Sequence, residues 1–570
     1  MKKILFFLLL ILLSTLSFLT FHDKGNEILK PYVATYLEDK LAQDMSIELQ
    51  HIKFDLDYIE FKAVLNKMTN IEAQGKLSLF SKTLDLDYQL KSDAFKNKKI
   101  HFDNKVDING TIKGTFSDMD ILGEAFTLKG NIKSDLATLK LSNTSYNIKT
   151  KELLANYIFS TPELSKLSFL SKKKLNGTLD VTGKLTLKDK VLNLIGTSNS
   201  LDGKIDFEYN KKKLHTYMQN ISIAKFLHML GEKPYATGNL TANVKLSDLK
   251  NRTGTFDLKT QNGKSIHPTL KKELNLDFGK AIPFTLNSKG NIASNIVNIQ
   301  STLESEIFNY SSSDMQHNLK SSKLSSTYTL DIPKLSKLKS LTAKSLKGQL
   351  IIHGTMNKDK KLLITGSTKS LGGNIDFKLQ KKKLNAKITN VSVEKLMHLL
   401  SYPQVFKANI MGDFNYDLKT KQGQFNSKLN NAQLLSSKLT KLVRKIRGLD
   451  LTKERYNETN FNATLNKDVI DINFKAKGKK VQLSIPSGHI NKTTNTIDAT
   501  YNINIDNKDI TGKIEGNISK PHITINSSKF IKDEIKNVIE GDMIDNQLKK
   551  LGLDKKESDK IKGFLGNLFK

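Results

Sequence analysis

The chain has no cysteine, no tryptophan and only nine prolines in 570 residues. Without cysteine there is no disulfide, no thiolate metal site and no cysteine nucleophile. The redox compartment stays open, because a periplasmic protein can do without disulfides. Arginine is scarce as well: Arg252, Arg444, Arg447 and Arg455 are the only four, so nearly all of the 90 basic side chains are lysines. Arginine is the side chain best shaped to fork onto phosphates and base edges, and the lysines are scattered rather than gathered in one stripe. These two features argue against nucleic acid as the partner of a chain with formal charge +33. Two readings of that charge remain, solvated strand faces and attraction to anionic lipid headgroups. Catalytic signatures are absent too. None of the 11 histidines forms H-x-H, H-x3-H or H-E-x-x-H, and no nucleophile elbow, phosphate loop, dinucleotide fingerprint or EF-hand occurs. No enzyme, metal site or cofactor is expected.

Leu, Ile, Asn, Ser, Thr and Lys dominate what is present, and the hydrophobic share of 38 % is low for a globular chain. The longest apolar run stands at the start. Lys2 and Lys3 precede Ile4–Phe21, broken only by Ser14, Thr15, Ser17 and Thr20. As a helix this run reaches about 27 Å, close to a bilayer core. It lacks a small-x-small cleavage site, so the favoured reading is an uncleaved signal anchor, with cleavage as the alternative. Its apolar residues would be Ile4, Leu5, Phe6, Phe7, Leu8, Leu9, Leu10, Ile11, Leu12, Leu13, Leu16, Phe18, Leu19 and Phe21. The flanking lysines put the N-terminus in the cytoplasm and the rest of the chain outside it. From Asn26 to Met45 the apolar residues recur at helical spacing, and mixed charge on the polar face favours a helix that caps the neighbouring strands.

The period then changes to two. "SIELQHIKFDLDYIEFKAVL", "TLDLDYQLK", "GNLTANVKL" and "DVIDINFKAKG" alternate apolar and polar residues. That pattern predicts antiparallel strands with one buried and one wet face, joined by short Gly, Asn, Asp and Lys turns. A long internal repeat is superimposed on it. "SLDGKIDFEYNKKKL" (200–214) returns as "SLGGNIDFKLQKKKL" (370–384), "PELSKLSFL" as "PKLSKLKSL", and "NISIAKFLHML" as "NVSVEKLMHLL". Each copy is mostly strand with one short helix, near Ala224–Leu230 and Glu394–Leu400, and a repeated unit of this size points to a stacked, elongated sheet. His228 and His398 repeat on those helices, and Asp206 and Asp376 on polar strand faces. All four read as structural or solvated rather than catalytic. The expected divisions are a signal anchor (1–22), an amphipathic helix (23–46), N-terminal strands (47–119), β-repeat 1 (120–270), β-repeat 2 (280–430), a basic helix with further strands (431–528) and C-terminal amphipathic helices (529–570).

About thirty strands spaced roughly 4.8 Å apart, with few helices to cover them, leave an apolar face to account for. One solution curls the sheet so that this face lines a trough floored by Ile205, Phe207, Tyr209, Leu240, Ala242, Val244, Leu246, Ile375, Phe377 and Leu379. The other packs the sheet on itself as sandwiches or barrels. The residues alone leave both open.

The order of an N-terminal anchor, a helix of the "LKPYVATYLEDKL" kind and β-repeats resembles the AsmA-like proteins, relatives of TamB and YhdP and of the bridge-like lipid transfer proteins. "SLGGNIDF…NVSVEKLMHLL…IMGDFNYDL…GQFNSKLNNAQL" and the late "TNFNATLNKDVIDINF" and "GKIEGNISKPHITI" carry the resemblance. The first copy departs from it, with "SLDG" where the second has "SLGG". The resemblance implies a twisted antiparallel β-groove, single-pass anchoring in an inner membrane with the bulk of the chain periplasmic, and passive carriage of phospholipid toward the outer membrane in support of envelope integrity. Membrane lipids would be the partners, alongside outer-membrane or envelope assembly factors. An alternative is a scaffold that holds outer-membrane proteins through an exposed β-edge.

Overall fold

The computed structural model describes residues 10–12, 14–15, 17–19, 22–40, 46–78, 80–96, 101–102, 104–115, 125–147, 150–168 and 174–526. Thirty strands belong to an antiparallel sheet that does not close into a barrel. The chain divides into two units. The first holds Met1–Glu273 with Pro283–Ser294, and the second holds Leu274–Ile282 with Asn295–Lys570.

In the first unit, strands from Ile47–Phe54 to Pro283–Ala293 succeed one another as a meander, each pairing with the next, except that the two-residue strands Phe95–Lys96 and His101–Phe102 pair only with each other and Thr83–Ser92 pairs past them with Val106–Thr115. In the second unit the same holds from Ile296–Ser305 to His522–Ile525. Between bulges, the two-residue period registers one face of each strand against the same face of its neighbour. The turns are the tight ones expected from lysine and asparagine tips. Lys381 and Lys382 both have positive φ (52° and 66°), as do Asp189 and Lys190, which is the primed turn geometry that matches strand twist.

A meander sends alternate connections to opposite ends of its strands. In both units the short helices fall on one end only. On that end lie Leu164–Leu167, Ile223–Met229 and His267–Leu274 in the first unit, and Leu335–Leu338, Lys339–Thr342, Val393–Leu399, Lys438–Arg447 and Leu451–Lys453 in the second. The other end carries only short turns among the described residues. We call these the helix end and the turn end.

The repeat is reproduced bond for bond. Ser222 caps Ile223–Met229 by accepting from the Lys225 N–H at 3.4 Å, and Ser392 caps Val393–Leu399 by accepting from Lys395 at 3.2 Å. The Ser222 N–H donates to the Leu201 carbonyl, and Ser392 to Leu371. The Leu164 N–H donates to Gly177, and Leu335 to Gly348. The first repeat lies wholly within the first unit. The second lies in the second unit except for 283–294, which join the first.

At the start, Asp23–Lys40 packs Val33, Ala34 and Leu37 on the first strand. The Asn26 amide fixes its position, donating to the Phe54 carbonyl at 3.3 Å and accepting from the Phe54 N–H at 3.2 Å. The helix therefore caps the sheet, as its charge pattern implies. Among the described residues no helix is long and apolar enough to cross a membrane. Of the expected anchor, Leu10, Ile11, Leu12 and Phe18 are helical and exposed, and Leu19 is half-buried. Ile4, Leu5, Phe6, Phe7, Leu8, Leu9, Leu13, Leu16 and Phe21, and the expected C-terminal helices of 529–570, lie outside the described residues.

Candidate functional site

Within each unit, the residues expected to line a floor share one face of the sheet. Ile205, Phe207 and Tyr209 pair with Met218, Thr216 and Leu214, and these pair in turn with Ala242, Val244 and Leu246. Leu240 joins through a bulge that brings it opposite Ile221. Ile375, Phe377 and Leu379 occupy the corresponding places opposite Ile388, Ala386 and Leu384. Through the first unit the same face runs as Tyr88, Gly110, Gly130, Leu141, Tyr157, Gly183, Gly196, Phe207, Thr216, Val244 and Phe256. No charged residue stands on that face among the paired residues of this unit. In the second unit the only ionisable residues on it, tyrosines aside, are His317, Lys358 and Lys508, each at or next to a strand end. The opposite face carries the charge, for example Lys184, Glu208, Lys245 and Asp257.

Burial on the apolar face is graded. At the helix end Leu201, Ile221, Ile223 and Leu240 form a buried cluster beneath Ile223–Met229, with Ile205, Met218, Phe226 and Leu258 packed against it. Leu371, Val391, Val393 and Ile410 repeat this arrangement beneath Val393–Leu399. Farther along the same strands, Phe207, Tyr209, Val244, Leu246, Phe377 and Leu379 are only half-buried. An apolar side chain gains about 1.5–3 kcal/mol on full burial, so each of these leaves part of that gain unrealised. The helix end of each copy is therefore sealed and the turn end is open.

Sequence reasoning missed a device on this face. Tyrosine rings lie across pairs of glycines on the next two strands. Tyr157 donates to the Ile195 carbonyl two strands away at 3.4 Å, and Tyr328 to Thr365 at 3.0 Å. Tyr88 reaches Lys129 in the same way, and Tyr501 reaches Thr524 across Gly512 alone. A Cβ on Gly196 would lie 2.6 Å from both the Tyr157 hydroxyl and the Phe207 ring, and one on Gly354 would lie 2.7 Å from the Tyr328 hydroxyl. The glycines make room for flat rings, which cover the backbone they expose. Burial pushes the Tyr88, Tyr157 and Tyr328 hydroxyls above the ordinary tyrosine value, and Tyr501 up to about 12. The signal was present in sequence as a glycine recurring in mid-strand, "DVTGK", "NLIGT", "IIHGT" and "LITGS".

The conspicuous polar repeats do not converge on a site. His228 and His398 are exposed on their helices. Asp206 lies on the polar face, where a hydrogen bond from Lys204 holds its carboxyl below the usual range. One constellation copies a hydrolase triad in outline: His489 Nδ1 meets Asp471 Oδ1 at 2.6 Å, and its Nε2 lies 3.5 Å from Ser487 Oγ. His489 and Asp471 are more than half exposed on the polar face. No cavity among those described adjoins them to hold a substrate or exclude water. A cavity of ≈ 290 Å³ beside Val393–Leu399 is lined by Lys347, Ser370, Glu394, Lys395 and His398, among others. No group of three or more potential metal ligands occurs among the described residues. The extended apolar face is thus the largest chemically distinctive surface described. No protein-family model, no curated protein and no solved structure matches the chain.

Proposed function

We propose that the apolar face is the floor of a lipid-carrying groove, and that the chain is an AsmA-like envelope protein that conducts phospholipid without chemistry. The observation that carries this reading is a face free of charge in the first unit and charged in the second only at or next to strand ends, continuous over successive strands, whose side chains stay only half-buried away from the helices. An exposed apolar surface of this extent is costly in water unless something apolar covers it. Acyl chains are the simplest cover for a surface that is long, smooth and without hydrogen-bonding pockets. Headgroups would stay at the open turn end, in water. In this reading the N-terminal apolar run anchors the chain in an inner membrane, the rest is periplasmic, and lipid travels toward an outer membrane.

A scaffold acting by β-augmentation needs a long unpaired edge. Of the two edge strands described, the last, His522–Ile525, has only four residues, whereas the first, Ile47–Phe54, has eight and pairs only with Tyr58–Leu65. The experiment that tests the lipid reading places a photo-crosslinking amino acid at Phe207, at Phe377 and, as control, at Lys378 on the polar face. Lipid adducts at the first two and not at the third are expected. Adducts at none, or equally at all three, overturn it.

A further inference from the structure

The turn end is basic as well as open. In the second unit, three consecutive turns on that end read Lys-Asp-Lys-Lys (358–361), Lys-Lys-Lys (381–383) and Asp-Leu-Lys-Thr-Lys (417–421), eight lysines against two aspartates. The first unit repeats this with Lys211–Lys213 and Lys250. Successive turns are tied together, the Leu418 N–H donating to the Lys382 carbonyl and the Lys467 N–H to Lys421, each within 2.9 Å. Both aspartates are engaged: Asp417 accepts from the N–H groups of Lys419 and Thr420, and Asp359 is 3.5 Å from Lys323. Lys360, Lys361, Lys381 and Lys382 have no carboxylate at ion-pair distance among the described residues. Lys361 and Lys381 crowd each other, which pulls the Lys361 ammonium below the ordinary lysine range. Lys358 stands on the apolar face itself, at its turn end, paired with Leu324 and Leu362.

A solubilising surface alternates its charge signs. This one gathers eight lysines against two engaged aspartates along the open border of an apolar face, and leaves four of its cations without a counter-charge. Such a border complements a ligand that is apolar on one side and anionic on the other. We propose that the lysine turns of the second unit form a rail that binds the phosphate headgroups of anionic phospholipid whose acyl chains lie on the adjoining face. This rests on the reading of that face as a lipid floor. It adds a preference that the floor alone cannot give, since acyl chains are the same in zwitterionic and anionic lipids.

The test uses the full chain and two vesicle preparations, phosphatidylcholine alone and phosphatidylcholine with about one-third phosphatidylglycerol, at low and high salt. The readout is the lipid bound to protein after separation from vesicles. The variant combines Lys360→Gln and Lys361→Gln with Lys381→Asn and Lys382→Asn, asparagine being tolerant of positive φ. The control removes the same number of charges from the polar face, at Lys378, Lys387, Lys407 and Lys428, and melting curves verify that both are folded. Wild type and control are expected to enrich phosphatidylglycerol roughly tenfold at low salt, and the rail variant about onefold, with phosphatidylcholine uptake unchanged. Enrichment retained in the rail variant, or lost equally in the control, overturns the rail while leaving the floor standing. No uptake of either lipid by wild type overturns the floor, and the rail with it.

Discussion

Two stretches of this chain share one alternating pattern and bury it differently. In the repeats, the apolar face is sealed only at the helix end, and Phe207, Val244, Leu246 and Phe377 stay half-exposed. From residue 431 onward, the same face supports a continuous core. Leu451, Tyr456, Val443, Val481, Ile503 and Ile510 are at most 1 % exposed, gathered around the helix Lys438–Arg447. That helix has the one capping box described, Ser437 with Thr440, and it ends on Gly448 in the left-handed conformation. The C-terminal strands are thus built for stability in the ordinary way. The repeats forgo that stabilisation over most of their width. Alternation alone does not say which stretch will be covered, because cover depends on where helices dock.

The second difference is between the copies. Thr216 and Val244 of the first become Ala386 and Phe414 of the second. Phe414 then meets Phe425 edge-on at 6.4 Å, and Phe425 meets Phe461 at 6.0 Å. The second copy carries an aromatic floor that grades into the C-terminal core.

Substitutions can break or sharpen this comparison. Leu451→Ala and Ile503→Ala, in the buried core, should each cost about 3 kcal/mol, whereas Leu246→Ala and Leu379→Ala should cost nearer 1 kcal/mol. Chemical denaturation measures both, and equal losses would remove the distinction. Gly196→Ala and Gly366→Ala should each cost about 2 kcal/mol, because the new methyl overlaps the ring of Phe207 or Phe377 and forces it to shift. Unequal losses would mean that the two copies are not mechanically equivalent.

High pH separates the regions in another way. The Tyr501 hydroxyl titrates at about 12 in the fold and near 10 unfolded. Its contribution is fully present below pH 10 and is lost as pH rises toward 12, by up to about 2 kcal/mol. Tyr501→Phe should flatten the stability profile in that window, and an unchanged profile would count against the buried hydroxyl. The smallest effect has the opposite sign. The Tyr456 hydroxyl is buried with no hydrogen-bond partner among the described residues. Tyr456→Phe should therefore be neutral or stabilising by about 1 kcal/mol, read from the denaturation midpoint.

Much of the architecture was legible in the sequence. The two-residue period gave the strands, the "NKKKL" and "QKKKL" tips gave their turns, and the duplicated "NISIAKFLHML" and "NVSVEKLMHLL" gave the short helices within one residue. Ile205, Phe207, Ile375 and Phe377 were placed on one face by parity, which needs no tertiary information. The tyrosine crossbars were not legible, because Tyr157 and Gly196 meet through a pairing 39 residues apart in sequence. Nor was the split between helix end and turn end, which appears only when the connections are counted along a meander. The lysine tips read individually as solvated turns; that they share one end of the strands shows only in the topology.

The central claim is that the half-exposed face of the repeats is covered by lipid. Mass spectrometry of the intact protein, purified in a gentle detergent, tests it most directly, with Phe207→Asp combined with Phe377→Asp as the comparison. The account predicts phospholipid bound to the wild-type chain and largely lost from the folded double variant. A lipid-free wild type, or equal lipid on both, would contradict it.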